Sequence, residues 1–304
     1  MSYVTRFAPS PTGPLHLGHA FSAIVAHDLA RADGGTFLLR IEDIDRTRAR
    51  PEWEQAIYDD LDWLGLTWDG PVLRQSERLD AYGRALDGLW SRGLLYPCSC
   101  TRADIAAAAS APQEGAALAA GPDGPVYPGT CRAPKDGIPH DMKPRPSAAH
   151  LRLDMSTAAL AVCDHHVVGP GKTRWTVGFE EAGRGPEGQC GWIETDREAL
   201  AREIGDVVLA RRDIGTSYHL SVVLDDAAQG ITLVTRGEDL FAATTIHVVL
   251  QRLLGLPTPS YHHHRLIRDE AGRRLAKRDD ARAIAKYRAE GATPEDIRRL
   301  VGLD

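Results

Sequence analysis

Two histidines three residues apart, His16 and His19, follow a proline-rich segment near the N-terminus, in the stretch RFAPSPTGPLHLGHA. The prolines restrict the backbone, and Gly13 permits a ligand to approach closely. A helix is predicted to begin where this segment ends, and the N–H groups and dipole of a helix N-terminus favour an anion such as phosphate. On a helical turn, both imidazoles lie on one side and could donate hydrogen bonds to phosphate oxygens. A core histidine beside a surface histidine would show the same spacing.

Three cysteines form a second candidate site. Cys98 and Cys100 are one residue apart, and Cys131 follows after a long segment rich in alanine, glycine and proline. Three thiolates can hold a tetrahedral zinc ion, which would stabilise a segment that buries little apolar surface. They leave one position on the zinc ion open. We expect the remaining cysteines, Cys163 and Cys190, to be buried thiols.

The pattern of apolar residues predicts an α/β fold in the N-terminal third. Alternation predicts strands in YVTRFA and TFLLRIEDID, and helical spacing predicts a helix between them. Two more helices, from Glu52 to Leu64 and from Glu77 to Arg92, are followed by Gly65 and Gly93, which suit helix C-termini. A strand, a helix and a strand in succession favour a parallel sheet.

A segment of different composition separates this part from the second half of the chain. Residues 101–149 are rich in Ala, Gly and Pro, and they predict an insertion with one Ala-rich helix. Beyond it, we predict strands in HLRLDM, GDVVLARRD, YHLSVVLDD and GITLVTRGED and a helix from Leu240 to Leu254. The last forty residues predict a basic loop and one or two helices.

Composition excludes several classes of protein. The 304 residues are 43% hydrophobic, enough for a substantial core, and contain no run of eighteen apolar residues that would span a membrane. There is no secretory signal pattern, and an odd number of cysteines suits a reducing compartment, so we expect a soluble, cytoplasmic protein, taken as a monomer. The net charge of −6 argues against general polyanion binding, although residues 265–288 carry nine Lys or Arg against four Asp or Glu.

Five blocks of the sequence resemble those of a known enzyme family. HLGH after RFAPSPTG resembles the HIGH signature of class I aminoacyl-tRNA synthetases, in the form of the glutamyl branch. RRLAKRDD, from Arg273 to Asp280, resembles the KMSKS loop of that branch. Between them, LLRIEDIDRTR, SYHLSVVLDD and TRGEDLF resemble further glutamyl-synthetase blocks in the same order. Because the chain ends soon after the KMSKS-like loop, it resembles truncated paralogues that lack an anticodon-binding domain.

This resemblance implies an α/β fold with a Rossmann-type parallel sheet in two halves, interrupted by a zinc-stapled insertion and followed by a short helical C-terminal region. The expected domains are 1–97 for the first half of the Rossmann catalytic domain, 98–200 for the insertion with zinc-binding and acceptor-contacting elements, 201–260 for the second half of the Rossmann domain, and 261–304 for the KMSKS-like loop and C-terminal helices.

The resemblance also implies a ligase-type enzyme. Truncated paralogues activate glutamate with ATP as glutamyl-AMP and transfer it to the queuosine base of tRNA(Asp). The expected partners are therefore L-glutamate, ATP with Mg²⁺, and tRNA(Asp) that contains queuosine, with phosphate contacts from the basic residues after Arg265 and from the insertion. Two alternatives stay open: a minimal glutamyl-tRNA synthetase that charges the tRNA 3′ end, and a non-catalytic paralogue that binds tRNA or glutamate.

Individual residues receive roles from the same resemblance. The expected catalytic groups, which stabilise charge on the phosphates of ATP, are His16, His19 and Lys277. The expected ATP contacts are Pro9, Gly18, His16, His19, His263, Arg274, Lys277 and Arg278. The expected glutamate contacts are Arg6, Ser10, Glu42, Tyr218 and Arg236. Within that pocket, Arg6 is expected on the side-chain carboxylate and Glu42 on the ammonium group.

The paralogues further supply a fourth ligand for one structural zinc ion. The phenolic oxygen of Tyr127 would complete the set with Cys98, Cys100 and Cys131, and a closed set leaves no position for an activated water. The consecutive histidines 262–264 are not expected to bind one metal ion, because neighbouring side chains of an extended segment point to opposite faces, and His262 and His264 are expected at the surface.

Overall fold

A computed structural model describes residues 2–32, 34–101, 103–105, 120–132, 144–169, 172–268 and 282–303. Within these ranges, no helix is both long enough and apolar enough to cross a membrane. The KMSKS-like loop and most of the segment predicted to hold an Ala-rich helix lie outside the described residues.

The strands, labelled in chain order, are β1 (Val4–Phe7), β2 (Thr36–Ile41), β3 (Leu73–Arg74), β4 (Leu95–Cys98), β5 (Ala120–Gly121), β6 (Gly124–Pro125), β7 (His150–Leu153), β8 (Asp164–Gly169), β9 (Lys172–Glu181), β10 (Gly191–Asp196), β11 (Val208–Ala210), β12 (Leu233–Gly237) and β13 (Ser260–His264). The α-helices are α1 (Leu17–Ala32), α2 (Pro51–Trp63), α3 (Leu79–Ser91), α4 (Met155–Val162), α5 (Arg197–Ala199), α6 (Tyr218–Ala228), α7 (Thr244–Leu253), α8 (Ile284–Ala289) and α9 (Pro294–Leu300).

The first parallel sheet contains β1, β2 and β3 in that order. α1 connects β1 to β2 and packs on both strands. A close approach at the start of β2 requires glycine: a Cβ atom on Gly35 would lie 2.1 Å from the carbonyl oxygen of Tyr3. That same carbonyl accepts a hydrogen bond from the Thr36 N–H at 2.9 Å, so the glycine lets the two strands begin in register.

The second parallel pair, β12 and β13, lies beside the first sheet. The N–H of Thr232, just before β12, donates to the carbonyl oxygen of Val4 in β1 at 3.0 Å. On its other side, β13 pairs in parallel with β9, and β9 is antiparallel to both β8 and β10. The predicted α/β fold with a parallel sheet and helices is confirmed, and its two parallel parts meet between β1 and β12.

Two large apolar clusters stabilise this arrangement. One packs α1 against the first sheet and includes Phe37 and Leu39, which are fully buried. The other joins α3, α4, α6 and α7 to β9 and to the antiparallel sheet β11–β7–β4. β1 packs with one of these clusters and β12 with the other, so the two strands meet where the clusters adjoin.

The strand predicted in YHLSVVLDD is wrong, because this segment forms helix α6. The Ser217 hydroxyl caps the helix by accepting a hydrogen bond from the Leu220 N–H at 3.4 Å. Val222 and Val223 are both buried, and a short apolar run that is buried on several sides has no periodicity that separates helix from strand.

Other element predictions agree with the structure more closely. α2 and α3 are present, and Gly65 and Gly93 follow them with positive φ angles of 73° and 67°. The helix predicted from Leu240 begins only at Thr244, after a short 3-10 turn at Glu238–Leu240. Strands β8 to β10 were not predicted from the sequence.

Candidate active site

A cleft of about 590 Å³ opens at the carboxyl ends of β1 and β12. This is where ligands bind in open α/β sheets, because the loops after neighbouring strands diverge there. The residues predicted as ATP or glutamate contacts that line this cleft are Arg6, Pro9, Ser10, His16, Gly18, His19, Glu42, Tyr218 and Arg236. They come from β1, the following loop, α1, the residue after β2, α6 and β12, so the tertiary structure brings both halves of the chain to one site.

The two histidines of the N-terminal segment lie against each other, with ring centroids 3.8 Å apart. The Nδ1 atom of His16 accepts a hydrogen bond from the Gly18 N–H at 3.1 Å, and the Nδ1 atom of His19 accepts one from the His16 N–H at 3.2 Å. Since Nδ1 accepts in each case, each neutral ring carries its proton on Nε2. Both imidazoles are therefore donors at Nε2.

Glycine at position 18 is part of this arrangement. A Cβ atom there would lie 3.0 Å from Cε1 of His16, so a larger residue would push the imidazole away from the backbone N–H that orients it. The preceding loop is also held in place, because its Pro9 carbonyl oxygen accepts a hydrogen bond from the Glu42 N–H at 3.0 Å. The loop and the end of β2 thus form one wall of the cleft.

Four charged side chains, of which Arg6, Arg40 and Asp226 are buried, form a network at the base of the cleft. Asp226 accepts hydrogen bonds from Arg6 Nε at 2.9 Å and from Arg40 Nη1 at 2.7 Å, and Arg40 Nη2 donates to Glu42 Oε1 at 3.3 Å. Two guanidinium groups and two carboxylates balance one another. Burial raises the pKa of Glu42, an effect that Arg40 and Arg6 oppose. For Asp226, the two arginines outweigh burial and lower the pKa to about 2.

This network predicts a defined loss of stability in acid. Because the pKa of Asp226 in the folded protein lies below its ordinary value, its contribution is present above about pH 4 and is lost as the pH falls towards 2. We expect this contribution to be ~2 kcal/mol of unfolding free energy. Urea unfolding measured from pH 7 to pH 2.5 should show a weaker acid dependence for Asp226→Asn than for the native protein. Asp62→Asn, at an exposed position, serves as the control; equal curves for Asp226→Asn and the native protein would contradict the prediction.

Arg236 has a different environment from Arg6. Its Nε donates to His263 Nε2 at 3.1 Å, its Nη1 to His247 Nδ1 at 2.9 Å, and its Nη2 to Thr244 Oγ1 at 2.5 Å. All three acceptors are uncharged in the neutral forms of the histidines. Within the part of the chain that the structure describes, no carboxylate lies within ion-pair distance of this guanidinium, which is only 7% exposed. Three of its five N–H groups are used by these contacts.

The histidine run lies differently from what the sequence predicts. His263 is buried behind Arg236 and is not among the residues that line the cleft; its Nδ1 donates to Glu181 Oε2 at 2.5 Å. His264 does line the cleft, where its Nε2 lies 3.0 Å from the Ser22 hydroxyl. The surface position expected for His264 is therefore wrong, because its ring packs edge-on against Phe21 and beside Ser22 of α1.

Arg274, Lys277 and Arg278 lie outside the described residues, so their positions stay predictions. The described residues on either side of this segment lie beside the cleft. Arg265 and Ile267, just before this segment, line the cleft. Just after it, Ala283 forms a β-bridge with His16, and the Ile284 N–H donates to the Leu15 carbonyl at 2.9 Å. The chain thus enters and leaves this segment beside the histidine pair.

The cysteine cluster forms a separate site at the end of β4. The sulfur atoms of Cys98, Cys100 and Cys131 lie within 4.8 Å of one another, with Cys100 Sγ and Cys131 Sγ 3.4 Å apart. The Tyr127 hydroxyl oxygen lies 3.5 Å from Cys98 Sγ and 3.3 Å from Cys100 Sγ. Tetrahedral zinc with bonds of about 2.3 Å places its sulfur ligands about 3.8 Å apart, so this donor set fits zinc.

Positive charge adjoins this cluster. Arg152 Nε donates to Cys98 Sγ at 3.3 Å, and the guanidinium carbon lies 3.9 Å from the centroid of the Tyr127 ring. A hydrogen bond from Tyr127 lowers the pKa of the Cys131 thiol to about 6.

Of the other two cysteines, Cys163 is buried as predicted, but Cys190 is exposed, because it precedes β10 on an exposed turn.

Several residues that shape the cleft were not singled out from the sequence. They are Arg40, Thr244, His247, Asp226 and Glu181. Only Asp226 had a usable signal, since paired acids at the end of an apolar run are uncommon in a helix interior unless they have partners. Glu181 contacts the site through His263, 82 positions away in sequence.

Comparison with known proteins places the chain in a family. The model for "tRNA synthetases class I (E and Q), catalytic domain" matches residues 2–303. Glutamyl-Q tRNA(Asp) synthetase from Rhodobacter capsulatus is 65% identical over 300 residues, covering 99% of this chain and all of the relative. Its counterpart from Geobacter sulfurreducens is 39% identical over 94% of this chain and 78% of the relative.

Solved structures agree with this result. Glutamate-tRNA synthetase from Elizabethkingia anophelis superposes with a TM-score of 0.72 at 25% identity, over 99% of this chain and 61% of that protein. A glutamate tRNA ligase from Elizabethkingia meningosepticum, solved in complex with its amino acid, gives a TM-score of 0.71 at 26% identity. This chain therefore spans about three fifths of those two proteins. The chain belongs to the class I tRNA synthetases of the glutamate and glutamine branch, and the two relatives compared above carry the name glutamyl-Q tRNA(Asp) synthetase.

Proposed function

We propose that this protein activates glutamate with ATP and transfers the glutamyl group to the queuosine base of tRNA(Asp). The observation that carries the proposal is one cleft that holds both a pair of imidazole donors and a buried arginine with uncharged partners. The imidazole donors suit phosphates, and the arginine suits a carboxylate. The acceptor follows from the relatives, which are named for it and of which the one from Rhodobacter capsulatus matches over its full length.

The reaction has two steps and requires no protein nucleophile. An oxygen of the α-carboxylate of glutamate attacks the α-phosphorus of ATP. The bond between that phosphorus and the oxygen that bridges to the β-phosphate breaks, and pyrophosphate leaves. A hydroxyl of the acceptor then attacks the carbonyl carbon of glutamyl-AMP, loses its proton, and AMP leaves. Catalysis consists of orienting the reactants and stabilising charge on the phosphate oxygens. His16 and His19 donate from Nε2, and Lys277 reaches the same phosphates from the segment that begins and ends beside the cleft.

Glutamate binds deeper in the cleft, between β1 and β12. We assign its side-chain carboxylate to Arg236, because Arg6 already shares a carboxylate with Arg40, whereas the charge of Arg236 is balanced by no carboxylate among the described contacts. Arg6 contributes its remaining N–H groups to the same end of the substrate. Glu42 receives the ammonium group, which stabilises the carboxylate form that burial disfavours. Ser10 and Tyr218 complete the pocket.

ATP brings Mg²⁺ with it, held mainly by phosphates and water, so no protein ligand is assigned. Pro9 and Gly18 allow the nucleotide to approach the loop closely, and Arg274 and Arg278 add positive charge. His263 does not contact ATP in this assignment; it orients Arg236 from behind. The domain boundaries, the monomeric state and the cytoplasmic location stay predictions from the sequence.

Zinc occupies the cysteine cluster in this proposal, held by Cys98, Cys100, Cys131 and the Tyr127 oxygen. Bound zinc would join β4 to the segment that carries Tyr127 and Cys131 and would have a structural role.

We expect Cys100→Ser to lower the zinc content from one ion per chain towards none and to lower the melting temperature. A ligand that binds only the folded state contributes about 2.7 kcal/mol when its free concentration is 100-fold above Kd. Metal analysis and thermal unfolding measure both effects. Cys190→Ser, at an exposed position away from the cluster, is the matched control; equal zinc contents in the two variants would exclude the site.

Transfer to queuosine is tested with ATP, radiolabelled glutamate and tRNA(Asp) that contains or lacks queuosine. We expect label only on the queuosine-containing tRNA, and retention of that label on a tRNA whose 3′-terminal adenosine has been removed. Label on both tRNAs, lost when the terminal adenosine is removed, would instead identify an enzyme that charges the 3′ end. Absence of ATP–pyrophosphate exchange with glutamate, with and without tRNA, would identify a binding protein.

A further inference from the structure

We propose that His247 and His219 form a positioning relay, which holds Arg236 in place for the substrate carboxylate and links it to Asp123 in the predicted insertion. This inference rests on the proposed function, because it takes Arg236 as the group that binds the side chain of glutamate. It adds two residues that do not touch the substrate themselves and a connection between two regions of the chain that are distant in sequence.

Three contacts in series build the relay. Arg236 Nη1 lies 2.9 Å from His247 Nδ1, and His247 Nε2 lies 3.0 Å from His219 Nδ1. At the outer end, His219 Nε2 lies 3.4 Å from Asp123 Oδ1. The members come from β12, α7, α6 and the turn between β5 and β6. The contacts therefore cross from the sheet through two helices to the insertion.

Only one arrangement of protons satisfies all three contacts. A guanidinium has no acceptor, so Arg236 donates and His247 Nδ1 accepts. Neutral His247 then carries its proton on Nε2 and donates it to His219 Nδ1. His219 in turn carries its proton on Nε2, which faces the Asp123 carboxylate. Each ring thus has a fixed tautomer, set by the arginine at one end and the carboxylate at the other.

Burial keeps the inner part of the relay in this form. His247 is 2% exposed and His219 is 7% exposed, whereas the Asp123 side chain is half exposed. Burial and the Arg236 charge lower the pKa of His247 well below its ordinary value, so the ring stays a neutral acceptor at physiological pH. The outer carboxylate is the single part of the relay that solvent reaches freely among these four residues.

The relay controls one specific edge of the guanidinium. His263 accepts from Nε and Thr244 accepts from Nη2. Among the described residues, His247 is the one that accepts from Nη1. Without that contact, the Nη1 edge can turn away from the position that a two-pronged carboxylate contact requires. Asp123 lies four residues before Tyr127, so the segment that carries two candidate zinc ligands also supports the outer end of the relay.

Two polar variants of His247 test its contact to Arg236 and its contact to His219 separately. Asparagine places its amide oxygen near the Nδ1 position and can accept from Arg236, whereas glutamine places its amide nitrogen near the Nε2 position and can only restore the contact to His219. ATP–pyrophosphate exchange, measured with tRNA(Asp) present, gives KM for glutamate and kcat for each. We expect His247→Gln and His247→Leu to raise KM for glutamate about 10-fold, with kcat changed less than about 3-fold. We expect His247→Asn to keep KM within about 3-fold of the native value.

The outer members are tested in the same assay. His219→Leu should raise KM for glutamate by about 3- to 10-fold, and Asp123→Ala by about 3-fold, because each removes support from the next member. His166→Leu, an exposed histidine on β8, is the control and should change nothing. KM for ATP should stay constant in all variants, since none of them touches the histidine pair.

The outcomes distinguish this inference from the proposed function. Equal KM values for His247→Asn, His247→Gln and the native protein, with glutamate binding lost in Arg236→Gln, would overturn the relay and leave the pocket standing. An unchanged KM in Arg236→Gln would overturn the pocket itself. If His247→Leu unfolds, which thermal unfolding reports, the comparison of the two polar variants still decides the question.

Discussion

Arg236→Gln should lower kcat/KM for glutamate by about 100- to 1,000-fold, the largest effect that we expect from a single substitution in the cleft. Removing one partner of a buried, hydrogen-bonded charge pair costs ~3–4 kcal/mol, which corresponds to that range. The effect should be seen mainly in KM, because Arg236 contacts the substrate side chain both before and during the reaction. ATP–pyrophosphate exchange over a range of glutamate concentrations measures it.

Two companion variants sharpen this prediction. Arg236→Lys keeps the positive charge but lacks the planar fork, so it should recover only part of the loss. Arg212→Gln removes an exposed arginine outside the cleft and should leave KM for glutamate unchanged. If Arg236→Gln bound glutamate as the native protein does, the carboxylate would have to be assigned to Arg6, whose guanidinium already shares Asp226.

His19→Asn should lower kcat by about 100- to 1,000-fold, the loss expected when one preorganised donor to a charged transition state is removed. Asparagine keeps an acceptor near Nδ1 for the His16 N–H but has no donor at the Nε2 position. The fold should therefore be retained while the donor is lost. Single-turnover formation of glutamyl-AMP measures the chemical step directly.

The matched variant, His19→Gln, places an amide N–H group near the Nε2 position and should recover part of the rate. KM for glutamate should change little in either variant, because in our proposal the histidine pair donates to the phosphates and Arg236 binds the amino acid. The assignment of His19 as a phosphate donor would be wrong if His19→Asn reacted at the native rate, or if its defect were confined to KM for glutamate.

Much of the cleft could be predicted from the sequence because its groups occur in short blocks. The loop, Gly18 and the two histidines are neighbours along the chain, so their mutual contacts are local and depend on the first turn of α1. The residues expected to bind glutamate were named from similar blocks, and the structure brings them to one cleft. The cysteine cluster was likewise visible from residue types and spacing, and its sulfur atoms lie together.

The errors have a common physical cause. α6 was predicted as a strand because burial on several sides removes the helical period from an apolar run. His264 was placed at the surface because its neighbours in sequence give no sign of α1, whose Phe21 and Ser22 pack against it. Arg6 stays untested as the carboxylate ligand; our proposal prefers Arg236, because Asp226, 220 positions away from Arg6, already accepts a hydrogen bond from Arg6 Nε.

The sequence by itself determined the fold class, the family, and the residue types that a phosphate-binding helix start and a zinc cluster require, since these depend on neighbouring residues and on short blocks. Only the tertiary structure decided which arginine is balanced by carboxylates and which is supported by neutral histidines. That difference depends on contacts between β1, β12, α6 and α7, and the charge state and orientation of a buried group are set by whatever the fold packs against it.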